Sequence, residues 1–544
     1  MIFHRLLSRL QLLPRPSLLA AGASLLAVSL PAPAQVRRPV PTPVPVAPLP
    51  ASGRAPLSAG QRWLQDSLQN YVDRGRRLWN IPGLAVVVVK DGQVAVNRGF
   101  GVRVVGQETP VDGNSLFLIA SNSKLFTGTA IAQLAEEGKL RLDDPVRKYL
   151  PGYALYDSSS TRLVSIRDVL GHKLGTKTFQ GDFTFWNSNL SRAEIIGKMR
   201  LLKPVQPFRQ DYGYCNSGFV TAGEIIPAVA GGQTWESWVQ QRLLAPLGMR
   251  HTYPLTSQAR YKGDLAQPYS DAFGPLAQLP LDELDNLAAA GGLVSCTNDL
   301  AHWLQFQLDS GRYQGQRVLP WATLRRTREA NTLIMATKSE LVPNHFRTYG
   351  LGVFSGDYAG RQAYWHTGGA DGYVTNTCFV PEENLGLAVL TNQDNQSFFE
   401  ALRYQILDAY LGVPYVDRSR QFWQVTEAGR LQTRRDVAAL ATRVASKAKL
   451  TLPLSIYTGT YQNAVYGTIT VAAQGRQLLV RFSHHPALTA TLDYLDGTSF
   501  RLTYSNPAYG IFAAPFTVES GQVKTLEIRV NDGLEQDPYV FVKQ

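Results

Sequence analysis

Cysteine is scarce in this chain, whose 544 residues include only three: Cys215, Cys296 and Cys378. Three are too few for a disulfide-stabilised scaffold or for a four-cysteine zinc site. Long basic runs are absent as well: none exceeds Arg-Arg, although Lys and Arg outnumber Asp and Glu by 54 to 42. This pattern argues against a nucleic-acid partner, because clustered positive charge is the usual footprint of such binding.

Apolar runs long enough to cross a membrane are also missing. The run from Leu18 to Leu30 has 13 residues, and its helix would span about 20 Å of the roughly 30 Å bilayer core. Arginines precede it and the small residues at 32–34 follow it, which is typical of a signal peptide. We therefore expect residues 1–34 to direct export to the periplasm or the medium, with no stable membrane insertion after cleavage. An uncleaved segment that tethers the protein is the alternative.

Proline is concentrated between residues 35 and 57, for example at Pro39, Pro41 and Pro43. Proline fixes φ and removes a backbone donor, so this tract favours an extended linker over a packed element. The chain beyond it divides by composition into three parts. These are a mixed domain at 58–415, a basic connector at 416–451 and a β-rich domain at 452–544.

The mixed domain at 58–415 has strand patterns at both ends and helix patterns between them. Its strands are predicted at 83–89, 93–100, 350–354, 372–379 and 385–390, and its clearest helices at 121–137, 234–244 and 299–308. Asn298 is the expected cap of the last helix. This order predicts an α/β (α+β) fold in which helices flank one antiparallel sheet built from both ends of the domain.

The connector at 416–451 is rich in alanine and is predicted to be helical. Beyond it, short alternating segments separated by Gly, Asn and Asp predict a small antiparallel barrel or sandwich. Its strands are predicted at 457–461, 467–472, 477–482, 487–494, 499–504, 516–518 and 525–530. We expect this domain to shape access or assembly without supplying catalytic groups, and its His484-His485 pair to lie at the surface.

A Ser-x-x-Lys pattern, Ser121 to Lys124, lies at the start of the helix predicted at 121–137. Residues i and i+3 share a helix face, so the Lys124 amine can approach the Ser121 hydroxyl. A serine hydroxyl is a poor nucleophile alone, and a lysine with a depressed pKa can take its proton. The bare pattern is weak evidence, because Ser446 and Lys449 in the connector match it too.

A second pattern, Tyr-x-Asn at Tyr214 and Asn216, would place a phenol and an amide on one short loop. The phenol can relay a proton near a lysine, and the amide can hold a substrate carbonyl or orient that lysine. The same pattern recurs at 461–463 and 504–506, where it is better explained by strands and turns.

A third pattern is His366-Thr367-Gly368-Gly369, which lies just before a predicted strand. Glycines would let a substrate lie against an edge strand, and a free N–H there can serve as an oxyanion donor. A lone His before Gly-Gly is about as often a turn residue as a catalytic one. The three patterns occur in order at a helix start, a loop and a late strand of one domain. Together they are stronger evidence for an active site than any one pattern alone.

These three patterns in this order resemble the penicillin-recognising serine hydrolases, which include class C β-lactamases, D-Ala-D-Ala carboxypeptidases and related peptidases and esterases. The resemblance covers about residues 58–413 and includes the segments 117–121, 244–249 and 290–293. It implies a β-lactamase/transpeptidase-like fold. The domain at 452–544 resembles the small lipocalin-like β domain appended to many bacterial members.

The resemblance also implies a mechanism that needs no metal or other cofactor. Ser121 would attack a carbonyl while Lys124 and Tyr214 move its proton, and the backbone N–H groups of Ser121 and Gly369 would form the oxyanion hole. His366 with Thr367 would bind a substrate carboxylate or tune the proton network. The substrate-binding residues would be Asn216, His366, Thr367, Gly368 and Gly369.

Two positions depart from the family's pattern. His366 stands where class C β-lactamases carry lysine, which resembles the peptidase and esterase branches instead. His172 lies in a Gly-His-Lys-Leu-Gly run where many relatives have a Thr-His-Thr-Ser-Gly-Leu-like sequence. We assign His172 a structural role.

We therefore expect an exported serine hydrolase that forms an acyl-enzyme with a small peptide, amide or ester. A peptide bearing D-residues, cleaved by carboxypeptidase- or aminopeptidase-like action, is the leading substrate, with an ester beside it. A β-lactamase is the enzyme alternative, and a silent wall-binding or sensor protein is the non-enzyme alternative. Cell-wall material is a candidate partner, and assembly into a homo-oligomer is left open.

Overall fold

The strands of the protein fall into one large sheet, one barrel and three small pairs within residues 57–544, the part that the computed structural model describes. The predicted signal peptide at 1–34 and the linker up to residue 56 lie outside the described residues. In chain order the strands are β1 (Gly83–Lys90), β2 (Gln93–Gly101), β3 (Phe117–Leu118), β4 (Tyr269–Ser270), β5 (Ala277–Gln278), β6 (Val294–Ser295), β7 (Arg312–Tyr313), β8 (Gln316–Arg317), β9 (Thr332–Met335), β10 (Arg347–Tyr349), β11 (Phe354–Tyr358), β12 (Arg361–Ala370), β13 (Tyr373–Val380), β14 (Leu385–Thr391), β15 (Gly459–Asn463), β16 (Gly467–Gln474), β17 (Gln477–Phe482), β18 (His485–Asp496), β19 (Ser499–Tyr504), β20 (Ile511–Glu519), β21 (Gln522–Ile528) and β22 (Tyr539–Lys543).

The helices surround the large sheet or link it to the barrel. In chain order they are α1 (Ala59–Asp66), α2 (Leu68–Trp79), α3 (Ser123–Glu136), α4 (Ser158–Leu163), α5 (Ile166–Leu170), α6 (Asp182–Phe185), α7 (Arg192–Lys198), α8 (Asn216–Val229), α9 (Trp235–Val239), α10 (Thr256–Ala259), α11 (Ala288–Gly291), α12 (Thr297–Leu308), α13 (Trp321–Arg328), α14 (Phe398–Leu411) and α15 (Arg418–Ala445). A short 3₁₀ turn, Ala120–Asn122, precedes α3. Among the described helices, none is both long enough and apolar enough to cross a bilayer.

The large sheet is antiparallel and has eight strands in the order β2-β1-β14-β13-β12-β11-β10-β9. Strands from both ends of the domain therefore meet at its centre, where β1 pairs with β14, as the sequence predicts. β1 is a run of β-branched residues that is buried along nearly its whole length. Such a strand must be covered on both faces, and helices such as α12 and α14 pack against the sheet.

Helix α3 is the central helix of the domain, packed against α8, α11 and α13. Its residues from Ser123 to Leu134 are all buried. Helix α3 is buried around its whole circumference, polar residues such as Lys124 and Thr127 included, because it is surrounded by protein. Any polar side chain on this helix must therefore find its partners inside the protein.

Two local predictions are wrong. The strand predicted at 350–354 is instead the connection between β10 and β11, where Gly352 has φ of 80°. The predicted cap Asn298 lies inside α12, which begins at Thr297 with Cys296 before it. The Asn298 side chain bonds to Asn97 and Asn114 rather than to its own helix end, because tertiary contacts compete with local capping.

Helix α15 occupies most of the predicted connector and packs along the mixed domain for half its length. Ser419, Phe422, Thr426 and Arg430 recur at helical spacing and are buried. Arg430 forms an ion pair with Asp271, at 3.4 Å and almost out of contact with solvent. The basic composition thus reflects a docked face as well as an exposed one, and the connector is not a loose tether.

The C-terminal domain is a closed eight-stranded barrel, β15 to β22. Seven strands were predicted, and the missing one is β22, which closes the barrel against β15. Val540 and Val542 of β22 are 46% and 50% exposed, while Tyr539 and Phe541 face the core. Apolar residues on both faces hide the period-two pattern that identifies a strand.

Gly352 offers a test of the packing around α3. A Cβ at this position would lie 2.1 Å from the Lys124 carbonyl oxygen, whereas a Cβ at Gly360, with φ of 78°, would meet nothing within 4 Å. Gly360→Ala should lose only the backbone strain of a left-handed residue, about 1–2 kcal/mol. Gly352→Ala should lose about 1–3 kcal/mol more because of the steric overlap. Equal losses in urea denaturation would contradict this packing.

Candidate active site

Ser121 lies in the 3₁₀ turn that leads into α3, on the side open to solvent. The preceding residue, Ala120, has φ of 47°, which is uncommon for a residue with a side chain. Such strain is found at functional sites, where the surrounding structure holds it in place. Here the turn leaves Ser121 partly exposed, while Asn122, Ser123 and Lys124 are buried.

Ser123, the other serine of the motif, is occupied by the fold. Its hydroxyl donates to the Ala120 carbonyl at 2.7 Å and accepts from the Leu293 N–H at 3.0 Å. These bonds join the nucleophile turn to the segment after α11. Ser121 is therefore the serine that a substrate can reach.

The Lys124 ammonium lies within hydrogen-bonding distance of three oxygens. It donates to the Ser121 hydroxyl at 3.1 Å, to the Asn216 side-chain oxygen at 2.7 Å and to the Ala290 carbonyl at 2.7 Å. A lysine has three donors, so all of its donors are used. The three contacts fix the amine beside Ser121.

Burial lowers the pKa of Lys124 to about 7, while the Asp182 carboxylate opposes that change. The amine also lies 4.7 Å from the centre of the Tyr214 ring. A lysine with this pKa is partly neutral near neutral pH, so it can accept a proton from Ser121.

Tyr214 lies immediately before α8, with its ring 4.3 Å from that of His172. Its hydroxyl is buried, and no described residue lies in hydrogen-bonding geometry with it. Burial raises the pKa of Tyr214, and a weaker interaction with Ser121 opposes this rise. The phenol therefore stays protonated and is suited to donate a proton, while the neutral amine of Lys124 is suited to accept one.

Asn216 is the first residue of α8 rather than a loop residue. Its side-chain oxygen accepts from Lys124, and its side-chain nitrogen donates to the Asp182 carboxylate at 2.7 Å. Both ends of the amide are therefore engaged by protein groups. This geometry favours the lysine-orienting role of Asn216 over the predicted binding of substrate.

Asp182 belongs to this site and was not predicted from the sequence. It begins the four-residue helix α6, is buried, and has a pKa that burial raises to about 7. The amide of Asn216 joins its carboxylate to the Lys124 amine. A single acid in a segment without periodicity gives no signal in a sequence, so only the fold reveals this link.

Strand β12 brings the third pattern beside the nucleophile turn. A Cβ at Gly368 would lie 2.0 Å from the Ile119 carbonyl oxygen, so only glycine permits this approach. Thr367 and Gly369 are half-buried and alternate with buried neighbours along the strand.

The backbone of Gly369 faces an open edge. Ala370 and Tyr373 close a two-residue turn between β12 and β13, and such a closing pair exchanges hydrogen bonds. Because the N–H groups of successive residues in a strand point to opposite sides, the Gly369 N–H points away from β13. Strand β11 pairs with β12 only as far as Trp365, so the Gly369 N–H can meet a substrate oxygen there.

His366 is buried and has a protein partner at each ring nitrogen. Its Nε2 lies 2.9 Å from the Tyr349 hydroxyl and its Nδ1 2.7 Å from the Thr367 carbonyl oxygen. Burial and the nearby Lys124 charge lower the pKa of His366 to about 3. A neutral, fully engaged imidazole is not a cationic site for a carboxylate, so the geometry favours its role in the proton network.

His172 contacts the backbone next to Tyr214 rather than Ser121. Its Nδ1 accepts from the Cys215 N–H at 3.0 Å, and its ring packs against Tyr214. These contacts agree with the structural role assigned to it. Within residues 57–544, no group of three or more His, Cys, Asp and Glu side chains is arranged to hold a metal ion.

The two serines of the motif can be distinguished by labelling with a fluorophosphonate. Ser121→Ala should abolish labelling, because it removes the nucleophile. Ser123→Ala should keep labelling at Ser121 but lose about 1–3 kcal/mol of stability, because the buried Leu293 N–H loses its acceptor. Peptide mass spectrometry locates the adduct. An adduct on Ser123 would refute this assignment.

The buried lysine predicts a pH dependence. We expect neutral Lys124 to accept the proton, so kcat/KM should fall as the pH drops through about 7. The Asp182 carboxylate raises the pKa of Lys124, so Asp182→Asn should lower that pKa and move the acid limb to lower pH. Asp211→Asn, which changes an exposed acid, is the control and should leave the limb in place. An unchanged limb in Asp182→Asn would exclude this coupling.

Comparisons with known proteins agree with this fold. Residues 68–411 match the family described as Beta-lactamase, and residues 445–543 match a domain of unknown function, DUF3471. The chain is 27% identical over 424 residues to the unguisins hydrolase ungD' of Aspergillus campestris, covering 72% of this chain and 75% of that one. It is 26% identical over 353 residues to protein flp of Staphylococcus aureus, covering 63% and 67%.

Among solved structures, the fold is similar to that of the octameric penicillin-binding protein homologue from Pyrococcus abyssi. The TM-score is 0.57 at 22% sequence identity, over 88% of this chain and 99% of that chain. The match to the Beta-lactamase family covers more than half of the residues. The chain therefore belongs to the beta-lactamase family of serine hydrolases, with a DUF3471 domain as its C-terminal barrel.

Proposed function

We propose that this protein is an exported serine hydrolase that cleaves amide or ester bonds through an acyl-enzyme on Ser121. The observation that carries the proposal is the Lys124 amine, 3.1 Å from the Ser121 hydroxyl, with a pKa near 7. A buried lysine beside a partly exposed serine serves proton transfer, whereas a silent binding protein would need neither. This argues against the non-enzyme alternative.

The first chemical step is acylation. Neutral Lys124 takes the Ser121 proton while the serine oxygen bonds to the substrate carbonyl carbon, and the carbonyl π electrons move to its oxygen. The N–H groups of Ser121 and Gly369 stabilise that oxyanion. When the tetrahedral intermediate collapses, the bond to the leaving amine or alcohol breaks. The leaving group receives its proton from Tyr214, and Lys124 returns a proton to the phenol.

Deacylation reverses the roles with water as the nucleophile. Lys124 takes a proton from water, whose oxygen attacks the ester carbonyl in the same oxyanion hole. The Ser121 oxygen leaves and regains a proton from the Lys124 ammonium. The product is a carboxylic acid, and the enzyme returns to its starting state.

The substrate class follows from the neutral state of His366. This imidazole has no positive charge to pair with a carboxylate, and both of its nitrogens are engaged. We therefore favour esters and amide-bearing or internal peptide bonds, D-residue peptides among them, over substrates held by a free carboxylate. The name of one relative, unguisins hydrolase, supports hydrolysis as the reaction class.

A β-lactamase is the second candidate, supported by the family itself.

We also propose that the protein is exported and assembles into a homo-oligomer, on grounds that lie outside the active site. The arginines and apolar run within residues 1–34 support export to the periplasm or the medium. A uniform N-terminus near residue 35 in protein recovered from that compartment would support cleavage, and an intact leader would support tethering. The octameric homologue supports a homo-oligomer, and an exported hydrolase could meet cell-wall material as a partner.

Turnover of a matched substrate panel tests the proposed reaction. The panel contains short acyl esters, nitrocefin, and D-residue peptides prepared with both a free and an amidated C-terminus. We expect esters and amidated peptides to be cleaved at least as fast as free acids. Ser121→Ala should be inactive, whereas Ser123→Ala should be active. Rapid nitrocefin turnover would favour the β-lactamase alternative, and no turnover of any substrate by a folded, labelled enzyme would refute the proposed substrate classes.

A further inference from the structure

The segment that carries Asp182, residues 177–189, lies between the hydrolase domain and the barrel. We call it the bridging loop. On one side Asp182 bonds to Asn216 in the active site. The neighbouring residue, Phe183, is fully buried and belongs to the apolar core of the barrel. Successive side chains of the bridging loop thus enter two different domains.

Phe183 packs inside the barrel core, although it precedes the barrel by more than 250 residues in the sequence. Its ring stacks on Tyr466 at 5.1 Å and on His485 at 5.4 Å. Further edge contacts come from Phe482, Tyr509 and Tyr539. Removing a buried phenylalanine typically costs about 3–5 kcal/mol, so this insertion is a strong anchor for the loop.

Glu535 of the barrel holds the backbone on both sides of Asp182. Its carboxyl oxygens accept from the Gly181 N–H at 2.8 Å and from the Phe183 N–H at 3.0 Å. The Tyr539 hydroxyl donates to the same carboxyl at 2.8 Å. Glu535 is only 5% exposed. The peptide units flanking Asp182 are therefore fixed by one side chain from the other domain.

Further barrel contacts continue along the bridging loop. His485 Nε2 lies 2.8 Å from the Trp186 carbonyl oxygen, and its Nδ1 lies 2.6 Å from the Tyr466 hydroxyl. The prediction of a surface position is therefore wrong for His485, which is buried. The bridging loop completes the network that satisfies its imidazole.

The barrel also contacts the turn between β12 and β13. The Asn506 side chain donates to Asp371, in the turn after β12, at 3.2 Å. The Asp371 N–H donates to Asp282, which also accepts from Trp186 and Asn187 of the bridging loop. The strand bearing the oxyanion donor and the loop bearing Asp182 are thus tied to each other and to the barrel.

We propose that Glu535 is a positioning residue of the active site, which holds Asp182 against Asn216 and thereby fixes the Lys124 amine beside Ser121. This inference rests on the proposed function and extends it to the C-terminal domain. It replaces the expectation that the barrel only shapes access or assembly. The barrel contacts described above reach the bridging loop and Asp371 rather than Ser121 or Lys124, yet the position of the lysine depends on them.

The mechanism of this dependence is geometric. Loss of the Glu535 acceptors leaves two buried N–H groups without partners, which favours rotation of the peptide units around Asp182. Asn216 then loses its fixed partner, and the Lys124 amine gains other arrangements. A displacement of about 1 Å in a catalytic group can cost about 100-fold in rate. The loss should appear in acylation rather than in substrate binding.

The test compares Glu535→Ala, Glu535→Gln and the control Glu519→Ala, which makes the same change at an exposed barrel site. The measurements are the fluorophosphonate labelling rate at Ser121 and the kcat and KM for a small ester, taken well below each melting temperature. We expect Glu535→Ala to reduce labelling and kcat by about 100-fold with little change in KM. Glu535→Gln keeps one acceptor and should lose less, and Glu519→Ala should match the wild type.

A double-mutant cycle with Asp182→Asn separates positioning from general stability. If Glu535 acts through Asp182, Glu535→Gln should reduce the labelling rate in the wild-type background and much less in the Asp182→Asn background. Equal reductions in both backgrounds, or a wild-type rate in folded Glu535→Ala, would overturn the proposal. If Glu535→Ala does not fold, the Glu535→Gln cycle decides. Failure of wild-type Ser121 to react would instead refute the proposed function.

Discussion

The burial of one amine, that of Lys124, is the constraint on which the rest of the site depends. An ammonium in a protein core is costly unless every donor is matched. Here three oxygens from Ser121, Asn216 and Ala290 match it, each from a different element. The remaining cost lowers the pKa of Lys124 to about 7. The same burial that threatens stability therefore suits the amine to the role of base that we propose for it.

The fold can be understood as the means of holding those three oxygens. Helix α3 is buried on all sides and is packed against α8 and α11, which supply Asn216 and Ala290. Strand β12 approaches the Ser121 turn so closely that Gly368 cannot carry a side chain. Ser121, Lys124 and the Gly369 edge are thus placed by packing of rigid elements, which gives more precise geometry than flexible loops.

Much of this could be predicted from the sequence, because short patterns and strong periodicity carry it. The Ser121–Lys124 helix, the sheet built from both ends and the β character of the last domain all follow from local signals. Local signals could not distinguish the possible roles of Asn216 and His366, because these roles depend on the hydrogen-bond partners that the tertiary fold brings to each side chain. His366 is engaged by Tyr349, 17 residues away on another strand.

Asp182 and Glu535 were beyond any sequence signal for a different reason. They lie more than 350 residues apart, and each lies in a segment without strand or helix periodicity. Their importance arises from the bridging loop, which links domains that the sequence shows as separate. Prediction by segments fails where one residue, such as Phe183, belongs to the core of a domain other than its own.

This sharing of residues changes what the barrel means for the protein. Removing residues 416–544 would expose Phe183, leave the N–H groups around Asp182 without their acceptor, and uncover the face against which α15 packs. A hydrolase domain shortened in this way would expose an apolar side chain and lose the anchor of the segment that carries Asp182. The barrel is therefore better understood as the support of the bridging loop than as an accessory module, and the two domains should unfold together.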